Sequence, residues 1–437
     1  MEISNRNKVR FQVLIICGFL LPFFISGINA SEKCIDQRWQ FYKGEIEGAP
    51  DDLSGKIDWE GINLPHTWND KDVMDDQEGY YRGVGWYRKT IYLGREQKDK
   101  SLFLHFHAAN QVAQVYVNGS LVGKHIGGYS AFRFQINDYV KFPGNEGKAA
   151  NEILVKLDNS HNENIPPLSA DFTFYGGIYR SVTLIEKEKV HFDLSDHASS
   201  GIFITTPEVD RNQARVHIKG TVVKDDPGRE RIKVVNTIVD QEGNEWVQKS
   251  SSHRLGDEKN MRFEHVFKDV EGFELWSPEN PYLYKVISRI YDRKGEKLLD
   301  ETVNPLGFRY YTFDPDKGFF LNGEPYKLKG VCRHQDYKGM GNALPDAIHA
   351  RDIRLMKKMG FNFLRVSHYP QDRDIMELCD QLGIITSVEI PIINRITESE
   401  EFFENSRNML VDMIKQNFNH PSLVIWAYMN ETLLRPK

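Results

Sequence analysis

Leu423-Val424-Ile425-Trp426-Ala427-Tyr428-Met429 is a continuous apolar run that ends abruptly in Asn430 and Glu431, an amide followed by a carboxylic acid. Such a run reads as a strand buried on both faces, and polar groups at its C-terminal tip face the loops at the mouth of a parallel barrel. Glu431 is therefore the candidate proton donor. The bland alternative is a strand-end carboxylate pointing into water, as most glutamates do. Three earlier apolar runs close in the same way: Arg333, His334 and Asp336 after the first, Arg365, Ser367 and His368 after the second, Glu389 at the third. A lone histidine is more often a satisfied structural residue, but a whole set of polar groups at one end of one sheet has no packing role. The set unites an acid, a guanidinium, an amide and two imidazoles, the groups needed for general acid–base work on a polar substrate. No His-x-His or His-Glu-x-x-His spacing occurs among these strand tips, so no metal and no other cofactor is expected there.

The elements that must position these tips alternate in type. Tyr326–Cys332 reads as a strand. It is followed by a helix with Ile348, Leu355, Met356 and Met359 on one face and Gly360 at its close. Phe361–Val366 is the next strand. Asp372–Leu382 then forms a helix aligning Ile375, Leu378, Cys379 and Leu382, closed by Gly383. Ile384–Ile390 is a third strand, Phe402–Phe418 a third helix and Leu423–Met429 a fourth strand. Alternation at this spacing predicts a parallel sheet with right-handed crossovers, the first half of a (β/α)₈ TIM barrel over residues 311–437. Half a barrel leaves unpaired edges and an open core, so the chain reads as truncated within its barrel.

Upstream the period is two. Trp86–Leu93, Ser101–Ala108 and Gln111–Val117 are strand-like, and Asn118-Gly119 is a two-residue hairpin signal. Residues 31–187 read as a jelly-roll β-sandwich. In 188–310, Val216, Ile218, Gly220 and Val222 alternate with polar residues, as do Tyr284, Val286 and Ile290; this fits an immunoglobulin-like sandwich. Arg6, Lys8 and Arg10 precede the apolar run Phe11–Ile25, and Ala30 offers a small residue for cleavage, the pattern of a secretory signal peptide over residues 1–30. The run is short for a membrane span of about 20 residues, so the protein is expected to be exported to a periplasm or beyond, not anchored as an integral membrane protein. Of the four cysteines, Cys34, Cys332 and Cys379 would remain, too few and odd in number for a disulfide framework; the last two lie in apolar patterns where buried thiols are usual.

With 437 residues, about three domains are expected. A net charge of −6, with basic residues scattered, excludes the electrostatic footprint of a nucleic-acid binder. Aromatics make up 12% of residues, which suits flat sugar faces but fills sandwich cores equally well.

From about residue 40 onward the chain resembles glycoside hydrolase family 2, and within it the bacterial β-galactosidases. Gly83-Val84-Gly85-Trp86-Tyr87-Arg88 and Asp171-Phe172-Thr173-Phe174-Tyr175-Gly176-Gly177-Ile178-Tyr179-Arg180 are similar to marks of its sugar-binding sandwich. Trp276-Ser277-Pro278-Glu279-Asn280-Pro281 and Gly307-Phe308-Arg309 resemble its immunoglobulin-like domain. Leu321-Asn322-Gly323, Gly330-Val331-Cys332-Arg333-His334, Arg365-Val366-Ser367-His368-Tyr369-Pro370 and Asn430-Glu431 match its barrel in order.

The resemblance implies a retaining exo-β-glycosidase acting on β-linked oligosaccharides or polysaccharides. Glu431 would be general acid and then base, Asn430 would bind the sugar 2-hydroxyl, and Arg365 would position the nucleophilic carboxylate. His334, His368 and Glu389 would meet the sugar or support its transition state, and Asp171 would reach from the first domain to bind sugar hydroxyls. The nucleophile would come from a later strand, so this chain alone is expected to be inactive. Ile390-Pro391-Ile392-Ile393-Asn394-Arg395 departs from the magnesium ligands of some long β-galactosidases, and that metal is not carried over. Cys332-Arg333-His334-Gln335-Asp336 and Glu389-Ile390-Pro391 favour β-galactosidase. The alternatives are β-glucuronidase, β-mannosidase, or a carbohydrate-binding remnant without catalysis; oligomerisation is left open.

Overall fold

The computed structural model describes residues 31–47, 57–256 and 258–432. The expected signal peptide lies outside the described residues. The first unit is a sandwich of two antiparallel sheets. One, in spatial order, joins Ser31–Cys34, Val182–Lys187, Ser101–Phe106 and Phe132–Gln135; the other joins Glu60–Ile62, Trp39–Lys43, Val84–Leu93, Ala149–Asp158, Val112–Val117 and Ser120–Ile126. Their inner faces enclose Trp39, Tyr87, Leu102, Leu104, Phe106, Val115 and Ile153. Asn118 and Gly119, at φ +51° and +83°, make the two-residue turn between Val117 and Ser120. Ser101–Phe106 is buried on both faces, because Phe103 packs outward on Ile185 and Leu194, where the second unit begins.

The second unit is also a sandwich. Gln213–Lys224 pairs with Val190–Phe192, Ile202–Val209 and Asn260–Glu271 in one sheet; Glu245–Leu255, Glu230–Val239, Tyr284–Asp292 and Leu298–Leu306 form the other. Val216, Ile218, Val222, Tyr284, Val286 and Ile290 all fill its core. The expected alternation thus coincides with the buried face.

In the third unit, Gly330–Arg333, Phe363–Val366, Ile385–Glu389 and Leu423–Ala427 form a parallel sheet in chain order, with helices Asp346–Lys358, Arg373–Leu382 and Glu400–Asn417 between them. Asp372 caps the second helix by accepting from the Asp374 N–H, and Ser399 caps the third by accepting from the Phe402 N–H. Gly383 ends the second helix at φ +69°, and a Cβ there would lie 2.7 Å from the Pro278 backbone. That close approach docks the second sandwich against the end of the sheet remote from the tips.

Four local expectations are corrected. The first barrel strand is Gly330–Arg333, not 326–332, because Tyr326 and Leu328 instead pack beside Trp276, Phe319 and Leu321 as a plug. The first helix turns His349 and Ile353 inward, leaving Leu355 and Met359 exposed. Cys332 is exposed; only Cys379 of the described thiols is buried. Arg333 belongs to the fold: it is 4% exposed, with its guanidinium on Asp352 (2.8 Å), Gln371 (2.5 Å) and His349 (3.1 Å).

Candidate active site

The strand tips bring Arg365, His368, Glu389 and Asn430 together. Parallel register places Arg365 beside Ser387, two residues before Glu389 on its strand, so Arg365 and Glu389 share one face of the sheet. One Arg365 nitrogen, Nη2, donates to Glu389 Oε2 and to Asn430 Oδ1, both at 2.8 Å. His368 Nδ1 lies 2.5 Å from Glu389 Oε1. Arg365 Nη2 and His368 Nδ1 are 3.5 Å apart, but both face the carboxylate as donors, so this is a contact without a hydrogen bond.

Glu389 was expected to meet the substrate; the structure places it beneath the site instead. It is 2% exposed and both oxygens are occupied by Arg365 and His368. Its role in this geometry is to hold those two side chains. Asn430 is fixed through its backbone, which donates to Ile392 O (2.8 Å) and accepts from the Asn394 N–H (3.1 Å). A guanidinium can only donate, so the Asn430 oxygen turns to Arg365 and its amide hydrogens remain for a ligand. Glu431 follows at φ +56°, a left-handed conformation uncommon for a residue with a side chain, and is exposed.

The first sandwich completes the rim. Asp171 is exposed, and the next residue, Phe172, sets its ring 5.2 Å from His334, 6.3 Å from His368 and 5.1 Å from Tyr369. Asn394, beyond the third strand, donates to Ser169 O in the same loop (3.3 Å). Burial pulls the His334 imidazole below its usual pKa and neighbouring His368 adds to this, against the opposing charges of Asp336, Asp171 and Glu389. His334 Nδ1 meets the Tyr369 hydroxyl at 3.1 Å. Asp336 accepts from the Tyr175 hydroxyl (3.3 Å).

Phe172 and Tyr369 stood inside recognised motifs, yet no chemistry had been assigned to them. An aromatic ring shows no acid–base signal in sequence; only its placement between two histidines does. A cavity of about 600 Å³ lies elsewhere, at the junction of the three units, lined by His105, Arg133, Lys187, Asp300, Arg373 and Gln416. None of the tip residues above faces it, so this cavity is separate from the strand-tip cluster.

Comparison with known proteins agrees with the order of these units. Three family models match: the glycosyl hydrolases family 2 sugar binding domain over residues 54–188, glycosyl hydrolases family 2 over 199–309 and the glycosyl hydrolases family 2 TIM barrel domain over 315–436. The chain belongs to glycoside hydrolase family 2. It is similar to a β-glucuronidase of Bacteroides fragilis, 36% identical over 94% of this chain and 58% of that protein. A β-galactosidase of Thermoanaerobacter pseudethanolicus is 32% identical over 90% of this chain and 51% of that one. Among solved structures, Bacteroides uniformis β-glucuronidase 2, covalently bound to cyclophellitol-6-carboxylate aziridine, superposes with a TM-score of 0.88 at 42% identity, covering 92% of this chain and 47% of that one. The chain thus spans about half the length of these family 2 relatives. Among its described residues no helix is long and apolar enough to cross a membrane.

Proposed function

We propose that these residues form the acid–base half of a retaining exo-β-glycosidase site that cleaves a terminal β-linked sugar. The observation that carries the reading is the hydrogen-bonded chain from His368 through Glu389 and Arg365 to Asn430, with Glu431 next in sequence. Glu431 would protonate the glycosidic oxygen as the bond breaks and then deprotonate the attacking water. Asn430, its oxygen held by Arg365, would donate from its amide nitrogen to the sugar 2-hydroxyl.

Retention needs a second carboxylate about 5 to 5.5 Å from the first. Glu389 is unsuited, since a nucleophile needs a free oxygen and both of its oxygens are bound. The 437 residues alone are therefore proposed to be inactive, and the activity belongs to a complete barrel that includes them. The chemistry needs no cofactor and no metal.

Sequence motifs favoured β-galactosidase. The relatives shift the preference towards a β-glucuronide, because the more similar proteins described above bear that name. β-Galactosidase remains the second reading, supported by the Thermoanaerobacter relative. Hydrolysis of aryl β-glucuronide and aryl β-galactoside by a complete-barrel enzyme carrying these residues tests both. A kcat/KM ratio above tenfold for the glucuronide supports the first, and the inverse ratio supports the second. Turnover of neither these nor an aryl β-mannoside would sink the hydrolase reading.

A further inference from the structure

We infer that Tyr369 is a positioning residue for His334: its hydroxyl donates to Nδ1 and so holds the imidazole in the tautomer whose hydrogen sits on Nε2. The two rings meet at 3.1 Å between the phenol oxygen and Nδ1. Tyr369 is 4% exposed and stacks on Tyr129 at 4.3 Å between centroids, so its hydroxyl has a fixed location. Burial pushes the phenol pKa well up, and the Gln335 backbone N–H reaches the same oxygen. An oxygen that accepts there has its own hydrogen to give, and Nδ1 is the acceptor within reach. Burial also disfavours the charged form of His334, and in the neutral ring one nitrogen accepts while the other donates.

The neighbouring histidine is held the opposite way. An ionised carboxylate only accepts, so the 2.5 Å contact with Glu389 requires the hydrogen of His368 on Nδ1. Two imidazoles with centroids 5.3 Å apart are thus set in contrary orientations by a phenol on one side and a carboxylate on the other. His334 Nε2 has no hydrogen-bond partner among the described residues and carries the N–H. On the glycosidase reading above, it gives a hydrogen bond to a sugar hydroxyl oxygen. The tautomer itself is a property of this chain and does not depend on that reading.

The test is a two-bond proton–nitrogen correlation spectrum of the 437-residue chain labelled with ¹⁵N-histidine, with the His334 signals assigned by their loss in His334→Gln. The expected result at neutral pH is the Nε2–H pattern for His334. In Tyr369→Phe, which keeps the ring stack, loss of one hydrogen bond should move the tautomer ratio roughly fivefold towards Nδ1–H. An Nδ1–H pattern in the unmutated chain overturns the inference, as does an unchanged ratio in a folded Tyr369→Phe chain. The unmutated spectrum decides even if that variant does not fold. Failed hydrolysis by a complete-barrel enzyme, with the Nε2–H pattern present, would remove the functional reading and leave the positioning role standing.

Discussion

Arg180 of the first sandwich donates to the Pro370 carbonyl oxygen, 2.9 Å away in the loop beyond the second barrel strand. The same Nη2 donates to Gln335 Oε1 beyond the first strand (3.0 Å), while Nη1 donates to Tyr129 O (3.1 Å). One buried guanidinium therefore ties the sandwich to the two loops that present His334 and His368. Arg180→Ala would strand these acceptors and the nearby Asp372 carboxylate, at a cost of about 3 kcal/mol or more. Thermal denaturation should show a clear loss for Arg180→Ala and little rescue by Arg180→Lys, whose single ammonium cannot span the fork.

Asp171 sits at the mouth beside the Phe172 ring. In a complete-barrel enzyme, Asp171→Ala should lower kcat/KM at least about tenfold, or ~1.4 kcal/mol, because remote hydroxyl contacts are used in the transition state. Denaturation curves must match those of the parent protein for the comparison to hold. Parental kinetics in a stable variant would make Asp171 a solvated loop residue.

Glu431→Gln keeps the shape but removes the proton. In a complete-barrel enzyme, glycosides with poor leaving groups should lose activity severely, and activated aryl glycosides much less, since their departure needs little protonation. A Brønsted series of leaving groups measures this. Equal losses across the series would contradict an acid role.

His420 tests a pH-linked contact beneath the barrel. Burial alone would lower its pKa, but the Asp380 carboxylate, 2.5 Å from Nδ1, outweighs burial and raises it above 6.5. A raised folded-state pKa means extra stability that is complete below about pH 6.5 and fades as pH rises through the folded value. Urea denaturation of the parent chain between pH 6 and 9 should show that decline. In Asp380→Asn the decline should flatten, with lower stability throughout, because Asp380 Oδ1 also accepts from the Ser422 N–H.

Much of this was legible without coordinates where a local pattern and the fold agree. The alternation in 213–224 marked the buried face of its strand, since a pleated strand offers each face every second residue. The Asn-Gly pair marked its hairpin because both positions need positive φ. The legibility failed where apolar residues serve a neighbour instead of their own element. Tyr326 and Leu328 read as strand but belong to the plug around Trp276. Leu355 and Met359 read as a buried face, yet Ile353 takes the inward position.

The candidate site divides in the same way. Residue types and their recurrence at strand ends sufficed to name His334, Arg365, His368, Glu389, Asn430 and Glu431 as one set, because parallel strands of one sheet end on one side, whereas Asp171 was named only through the family resemblance. Which of them is free to meet a ligand depends on distances between residues far apart in the chain. Glu389 lies under the site because Arg365 and His368, 24 and 21 positions away, close on its two oxygens. Arg333 is drawn out of the site by Asp352, and Phe172 is carried into it by a loop of another unit. Hydrogen bonding and packing are short-ranged in space and indifferent to separation along the chain, so sequence determined the inventory and the side of the sheet, while tertiary structure alone decided each partner.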